Sequence, residues 1–206
     1  YLSGQPGRVI RYNKRFNADR HYMGLIPLLK TGNIVETEYA YEKVPREVDP
    51  FDGDTFDASG DPFWAVVTNV ETGQPEYIRL EHAMAQMDVI RASASMPFVS
   101  KPVKLGGKLY LDGGISDAIP LEKSILDGNR KNIVVMTKEV GFVRKPASAS
   151  QLGLIKLRYL KYPKVYELMA DRHIRYNESL DYIERQEKCG QAFVIRPHKK
   201  SDVGRI

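Results

Sequence analysis

The sequence contains little cysteine and no long hydrophobic run. Cys189 is the only cysteine among 206 residues, so no disulfide bond can form within the chain, and a reducing compartment is expected. No stretch reaches the roughly 18 to 20 apolar residues that a membrane-spanning helix needs. The first residues also lack the basic and then apolar character of a secretory leader. We therefore predict a cytoplasmic protein, with at most a peripheral position at a membrane.

Sequence patterns for metal ions and nucleotide cofactors are also absent. No two histidines stand at the spacings that metal sites use, and no glycine-rich loop of the kind that cradles phosphates is present. The histidines are His21, His82, His173 and His198. We expect neither a metal ion nor a cofactor.

An acidic stretch, FDGDTFDASGD, brings Asp52, Asp54 and Asp57 close together and raises the question of calcium. An EF-hand loop that starts at Asp52 needs glycine at its sixth position and glutamate at its twelfth, where this sequence has Asp57 and Phe63. The stretch is therefore interpreted as an acidic loop, within an irregular segment predicted for residues 41–62.

The composition suits one globular domain over residues 1–206, since 42% of the residues are hydrophobic and 28% are charged. The net charge of +5 suggests nucleic acid or an anionic membrane as a partner. No basic motif with interleaved aromatic residues is present, so we expect no nucleic acid. Basic residues gather without acidic neighbours in KLRYLKYPK, residues 156–164. A solvated face and a peripheral contact with an anionic membrane are the two interpretations of this stretch.

Hydrophobic periodicity predicts alternating strands and helices. The strands are apolar runs at 63–70, 109–111, 132–137 and 192–197. Helices are predicted at 23–31, 80–95 and 120–127, and 152–188 forms a helical carboxyl-terminal region that Pro163 divides. This alternation predicts an α/β fold with a largely parallel sheet, in which the strand at 132–137 is buried on both faces.

The stretch GGKLYLDGGISDAIPLEK, residues 106–123, places a carboxylate directly after an apolar strand. In open α/β sheets, ligands bind beyond the carboxyl ends of the strands, which is where Asp112 falls. Gly113 and Gly114 let the backbone turn and let another segment or a substrate come close. A carboxylate at this place can orient or deprotonate a serine hydroxyl. Spacing alone leaves an ordinary Asp-Gly-Gly turn as the alternative.

A serine nucleophile is difficult to place within these residues. The elbow pattern G-x-S-x-G, which exposes a serine at a strand-to-helix turn, does not occur. The nearest approach is Gly114–Ala118, with Ser116 at its centre. Pro120 predicts a helix that starts some four residues after Ser116, whereas an elbow serine stands at the helix entry. A turn or capping role is therefore favoured for Ser116, and a nucleophilic role is the alternative.

Two motifs together resemble the paired signature of the patatin-like lipid acyl hydrolases. RASASMPFVSKPV, residues 91–103, matches a helix end that this family places before an apolar strand, and GGKLYLDGGISDAIP, residues 106–120, matches that strand and its Asp-Gly-Gly. Further stretches, YLSGQPGRVIRYNKRF, MGLIPLLKTGNIVETEYAY and NIVVMTKEVGFVRKP, look like a bacterial branch of the family. One departure follows the Pro of the helix end: the family often has Gly and another Pro there, where this chain has Phe98, Val99 and Ser100.

The resemblance implies a three-layer α/β/α sandwich and a catalytic Ser-Asp dyad without histidine. In such an enzyme Asp112 would be the dyad aspartate, Gly113 and Gly114 would make space beside it, and the substrates would be acyl esters of phospholipids or related lipids.

The resemblance places the serine elbow and the oxyanion loop before residue 1. The domain at 1–206 would then be incomplete at its amino terminus, and these 206 residues alone would be inactive and fold poorly. The alternative is a binding module of the same fold at a membrane surface, in which the dyad has degenerated.

Overall fold

The computed structural model describes residues 2–16, 19 and 21–198. These residues form two compact units, the first ending at Ser116 and the second beginning at Asp117.

The first unit opens with helices. They are α1 (Arg8–Phe16), α2 (Leu25–Thr31), a π-helix (Tyr39–Val48) and α3 (Gly53–Ala58). Helix α2 ends at Gly32, which adopts a left-handed conformation with φ 79° and donates its N–H to the Leu28 carbonyl. The end of α2 agrees with the helix predicted at 23–31. The irregular segment predicted for 41–62 is wrong in large part. Pro45 lies inside the π-helix, and Asp52 caps α3 by accepting a 2.9 Å hydrogen bond from the Thr55 N–H.

A four-stranded sheet forms the centre of the first unit. Its strands are β1 (Phe63–Asn69), β2 (Pro75–Leu80), β3 (Val103–Leu105) and β4 (Lys108–Asp112), in the spatial order β2-β1-β4-β3. All three pairings are antiparallel. The α/β class is correct, but the largely parallel sheet predicted from the sequence is wrong for this main sheet.

Two short hairpins explain the antiparallel order. Strands β3 and β4 are joined by Gly106 and Gly107, both with positive φ (53° and 87°), and two such residues form a tight hairpin turn. Strands β1 and β2 are joined by a turn in which the Asn69 side chain accepts hydrogen bonds from the N–H groups of Glu71 and Thr72. The stretch ETGQPEY, residues 71–77, predicts the turn back between β1 and β2. The hairpin at Gly106 and Gly107 was not predicted, and the alternation of strands and helices wrongly suggested a largely parallel sheet.

Helix α4 (Met87–Ser93) packs on one face of the sheet and is shorter than the helix predicted at 80–95. The Gln86 side chain accepts hydrogen bonds from the N–H groups of Glu81 and His82, at 2.7 and 2.9 Å, and so stabilises a turn before α4. The buried Val89 and Ala92 hold α4 against the sheet.

The second unit contains three helices and two strands among its described residues. They are α5 (Leu121–Leu126), β5 (Asn132–Val135), α6 (Ala149–Arg158), α7 (Pro163–Lys188) and β6 (Ala192–Ile195). Pro163 begins α7, so it does stand between two helices. Strands β5 and β6 pair in parallel, and one face of the pair packs on a core that includes Leu121 and Ile183.

The burial predicted for β5 is wrong. Val134 is buried, but Ile133 and Val135 are 72% and 71% exposed, because the described residues cover only one face of the β5–β6 pair. The paired residues of β6, Phe193 and Ile195, are exposed on the same face.

Within residues 2–16, 19 and 21–198, no helix has both the length and the apolar character that crossing a bilayer requires.

Candidate active site

Asp112 lies at the end of β4, and its backbone is held from two sides. Its N–H donates a 2.9 Å hydrogen bond to the carbonyl of Ser95, in the turn that follows α4. Its own carbonyl accepts a 2.8 Å hydrogen bond from the hydroxyl of Thr68 on β1. Ser95 and Thr68 are both buried, 4% and 0% exposed, so these bonds are protected from water. The two sequence motifs, residues 91–103 and 106–120, therefore meet at Asp112.

The Asp112 carboxylate caps the short 3₁₀ helix that follows it, Gly113–Ile115. Its Oδ1 atom accepts a 2.7 Å hydrogen bond from the Gly114 N–H. The residue is half-buried. Because a capping bond fixes the side-chain torsions, the carboxylate has a defined direction before any substrate binds.

Gly113 occupies a position where no side chain fits. A Cβ atom at this residue would stand 2.3 Å from the Val66 carbonyl oxygen and 2.7 Å from the Val66 Cβ. Real Cβ atoms do not approach backbone oxygen so closely, and strand β1 cannot move away without losing its pairing with β4. Strand β1 is thus the segment that comes close to the Asp-Gly-Gly turn at Gly113.

Ser116 follows the 3₁₀ helix and has its hydroxyl inside the turn. Its Oγ atom is 2.7 Å from the Thr68 Oγ1 atom and donates a 3.3 Å hydrogen bond to the Gly113 carbonyl. Helix α5 begins only at Leu121. These contacts are those of a serine that stabilises a turn.

Thr68 was not singled out from the sequence. Its hydroxyl contacts both the Asp112 carbonyl and the Ser116 hydroxyl, so it connects the two residues that the sequence did single out. The available signal was a polar residue within the otherwise apolar run FWAVVTNV. Threonine is a common strand residue, which is why the run alone does not distinguish it.

A second polar group lies on the strands that support Asp112. Glu76 of β2 accepts hydrogen bonds from the Tyr110 hydroxyl at 2.6 Å and from the Asn69 side chain at 2.8 Å. Burial raises the pKa of Tyr110 to about 12, and the hydrogen bond to Glu76 acts in the same direction. Burial also pushes the pKa of Glu76 upward, but the bonds from Tyr110, Asn69 and Lys108 outweigh it and leave that pKa below its usual value.

An apolar cavity of about 570 Å³ opens in the first unit. Its size is typical of sites for small organic ligands, which run from about 300 to 1,000 Å³. Among the described residues, six aromatic side chains line it: Tyr12, Tyr22, Tyr41, Phe51, Phe56 and Phe63. Aliphatic residues complete most of the wall, among them Leu80, Ala83, Met87 and Ile90. Burial raises the pKa of Tyr41 to about 12.

The cavity and Asp112 lie on the same face of the sheet. Phe63 and Val67 are on one face of β1, because side chains alternate along a strand. Asp112 is opposite Val67 in the antiparallel pair and therefore shares that face. Val67 is four positions along the strand from Phe63, a distance of about 13 Å. Helix α4 follows the same direction, with Met87 and Ile90 in the cavity wall and Ser95, just beyond its end, bonded to Asp112.

The carboxylates of the acidic stretch serve the local structure. Asp52 caps α3, and Asp57 accepts hydrogen bonds from the His82 ring at 2.9 Å and from the Ala83 N–H at 3.0 Å. The bonds from Thr55 lower the pKa of Asp52, and the His82 bond lowers that of Asp57. The described part of the chain contains no cluster of three or more His, Cys, Asp or Glu residues suited to a metal ion.

Tyr1, before which the resemblance places the serine nucleophile, lies outside the described residues.

Comparisons with known proteins give matches along much of the chain. A family model described as Patatin-like phospholipase matches residues 11–124, just over half of the chain, and a model described as Domain of unknown function (DUF6363) matches residues 162–206. The first match includes both motifs around Asp112 and confirms the resemblance drawn from them.

One curated relative is 31% identical over 142 residues: the uncharacterised protein YjjU of Escherichia coli (strain K12). The match takes in 66% of this chain and 39% of the relative, so the chain spans about two fifths of that relative's length.

Proposed function

The chain belongs to the patatin-like phospholipase family, and on that premise we propose that it is part of a serine hydrolase that cleaves acyl esters of phospholipids or related lipids. The observation that carries the proposal is the junction at Asp112. The two family motifs are joined there by the hydrogen bond from the Asp112 N–H to the Ser95 carbonyl, and the carboxylate follows the end of β4.

In the proposed reaction Asp112 is the general base. It accepts the proton of a serine hydroxyl as the serine oxygen attacks the ester carbonyl carbon, and it returns that proton to the departing alcohol. Water then attacks the acyl-enzyme and loses a proton to Asp112, and Asp112 returns that proton to the departing serine oxygen as the fatty acid is released. The bonds to the Asp112 backbone keep the carboxylate in one position throughout.

The nucleophile and the oxyanion donors belong, in this proposal, to residues upstream of Tyr1 in the same polypeptide. Support comes from the absence of a G-x-S-x-G elbow in these 206 residues and from the turn contacts of Ser116. The 206 residues alone are then expected to be inactive. A cytoplasmic position, in agreement with the single cysteine, and a peripheral contact with membrane lipid complete the proposal.

The aromatic cavity is proposed as the place of the acyl chain. It is apolar, has the volume of a ligand site, and lies on the Asp112 face about 13 Å along β1. An acyl chain that starts at an ester beside Asp112 would have to run along the outer side of α4 to reach it, because the buried Val67 and Ala92 fill the space between α4 and the sheet. Burial of each methylene contributes about 0.8 kcal/mol, so chain length would affect turnover.

A complete domain with three layers, helices on both faces of the sheet, is also part of the proposal. Parallel strands are ordinarily covered on both faces. The exposed face of β5 and β6 supports a further layer over it, since Ile133, Val135, Phe193 and Ile195 are all about half or more exposed there.

A degenerate binding module of the same fold is the second candidate. The test is a fluorophosphonate probe applied to the full-length protein, followed by intact mass spectrometry and mapping of the adduct. One adduct on a serine upstream of Tyr1, together with ester hydrolysis, is expected. An adduct on Ser116 would contradict the assignment of the nucleophile. Neither adduct nor hydrolysis would favour the binding module.

A further inference from the structure

Helix α6 and the residues that lead into α7 expose leucine side chains in a basic setting. Leu154, Leu157 and Leu160 are 55%, 69% and 69% exposed. Ile155 and Tyr159, one helical turn apart, are buried at 0% and 3% and fix the inner side of the segment. The three leucines therefore have no place in the core of the second unit.

Exposed lysines alternate with these leucines along the chain. Lys156, Lys161 and Lys164 are all exposed. Together with Leu154, Leu157 and Leu160 they are called the leucine–lysine surface below. Lys164 makes an ion pair with Glu167 at 2.6 Å, and the Lys156 ammonium lies 5.9 Å from the centre of the Tyr166 ring. Both contacts are at the edge of the surface and leave the leucines uncovered.

Acidic residues are absent from a long stretch around this surface. No aspartate or glutamate occurs between Glu139 and Glu167, although the chain has 26 acidic residues in all. The basic residues within that interval are Arg144, Lys145, Lys156, Arg158, Lys161 and Lys164. Residues 140–166 therefore carry six positive charges and no negative one, while the whole chain carries only +5.

Exposed leucines together with exposed lysines identify the class of partner. A nucleic acid would use the cations but would leave three exposed leucines in contact with water or phosphate. A stable protein interface covers about 800 Å² on each partner, which is more than three partly exposed leucines supply. An anionic bilayer satisfies both features at once, because leucines enter the boundary between head groups and acyl chains while lysines meet lipid phosphates.

We propose that the leucine–lysine surface docks the protein on anionic lipid membranes. The leucine side chains insert at the level of the head groups, and Lys156, Lys161 and Lys164 lie against anionic lipids. The purpose of this contact rests on the proposed function, since a hydrolase of membrane lipids meets its substrate at a bilayer. The contact itself rests only on the exposed residues of α6, of the segment between α6 and α7, and of the start of α7.

The test is flotation of the full-length protein with vesicles. One set contains phosphatidylcholine alone, and the other contains phosphatidylcholine and phosphatidylglycerol in equal parts. The protein is expected to float with the anionic vesicles and to be released by salt, because the Debye length falls to about 3 Å at 1 M. Changing all three lysines to glutamine should weaken binding about a hundredfold, since each basic residue near an anionic surface contributes a factor of about five.

Further variants distinguish the effect of these side chains on lipid binding from a loss of folded structure. Lys156→Arg, Lys161→Arg and Lys164→Arg together keep the charge and should keep binding. Leu154→Ser, Leu157→Ser and Leu160→Ser together should reduce binding at least tenfold.

The control for the leucine variant is Leu25→Ser with Leu29→Ser on α2. These leucines are 73% and 85% exposed outside the leucine–lysine surface, and their replacement should change nothing.

Several outcomes would overturn the proposal. If the serine or glutamine variant floated as well as the wild type, another surface would have to bind lipid. Equal binding of the wild type to both vesicle types would exclude a role for the lysines. If the serine variant instead lost self-association, the surface would be an interface between copies of the chain.

Failure of the surface and failure of the proposed hydrolase are distinguishable. Asp112→Asn should float like the wild type although its ester hydrolysis is reduced by about 10² or more. Salt-sensitive flotation without hydrolysis by the wild type would retain the docking surface and reject the enzyme. Hydrolysis of soluble esters without flotation would retain the enzyme and reject the docking surface.

Discussion

The main-chain N–H of Asp112 donates a 2.9 Å hydrogen bond to the carbonyl oxygen of Ser95, and this bond joins two segments that are 17 positions apart in the sequence. Ser95 terminates the turn after α4, whereas Asp112 terminates β4. The bond therefore fixes the end of the helix to the end of the strand. It also means that changes in either motif act on the position of the same carboxylate.

Replacing Asp112 with asparagine should strongly reduce hydrolysis and preserve the fold. Asparagine keeps a side-chain oxygen that can accept the Gly114 N–H, so the cap survives while the base is lost. Hydrolysis of a short-chain ester by the full-length protein should fall by about 10² to 10⁴, the range for a general base. Asp88→Asn, at an exposed ion pair with Arg91, is the control and should leave the rate unchanged. An Asp112→Asn rate equal to wild type would remove Asp112 from the mechanism.

Replacing Gly113 with alanine should destabilise the protein strongly. The new Cβ would stand 2.3 Å from the Val66 carbonyl oxygen, and relief requires movement of strand β1. We expect a loss of more than about 3 kcal/mol in the free energy of unfolding, at or above the usual range for overpacking. The control is Gly153→Ala in α6, where nothing lies within 4 Å of the added atom. That change should stabilise by up to about 1 kcal/mol. Denaturant titration of both variants measures the difference, and similar stabilities would contradict the predicted clash.

Thr68 should prove to be a positioning residue. Thr68→Val keeps the shape of the side chain but removes the hydroxyl that bonds the Asp112 carbonyl and the Ser116 hydroxyl. Loss of a buried hydrogen-bond partner costs about 1 to 3 kcal/mol of stability. Because the Asp112 carbonyl loses the hydrogen bond from Thr68, kcat should fall while KM for a short-chain ester changes little. Thr68→Ser keeps the hydroxyl and should restore kcat. Equal rates in the valine and serine variants would show that the hydroxyl does not position Asp112.

The sequence predicted the place of Asp112 well, because an apolar run before Asp-Gly-Gly specifies a strand end and a turn with purely local information. The strand directions of the main sheet were predicted poorly, because they depend on whether the chain between two strands makes a tight turn or crosses over the sheet. The decisive residues, Gly106 and Gly107, were present, but their left-handed conformations show only in the structure. Thr68 was overlooked for a similar reason. Its two partners, Asp112 and Ser116, are more than 40 positions away.

Stability should decrease at high pH through Tyr110. Its pKa is raised to about 12 by burial and by the hydrogen bond to Glu76, whereas an unfolded tyrosine titrates near 10. The folded state therefore holds this proton more tightly. The contribution of Tyr110 to the free energy of unfolding is complete below about pH 10 and is lost as the pH rises towards 12.

Denaturant titrations of wild type and Tyr110→Phe across this range test the assignment. Between about pH 10 and 12 the wild-type free energy of unfolding should fall more steeply than that of the variant, by at most about 1.4 kcal/mol per pH unit. Parallel curves would show that Tyr110 does not titrate differently in the folded and unfolded states.

Filling the aromatic cavity should change which acyl chains the enzyme accepts. Ala83 is buried in the cavity wall, so Ala83→Phe places a ring in the space proposed for the end of the chain. Each methylene excluded from an apolar site costs about 0.8 kcal/mol, a factor of about four in kcat/KM. Esters whose chains extend into the cavity should therefore lose activity by tenfold or more, while short esters, which react beside Asp112 alone, keep theirs. Ala58→Phe, at an exposed position at the end of α3, is the matched control. If Ala83→Phe lowered kcat/KM for short and long esters by the same factor, the acyl chain would have to bind elsewhere. The cavity would then be part of the core rather than of the active site.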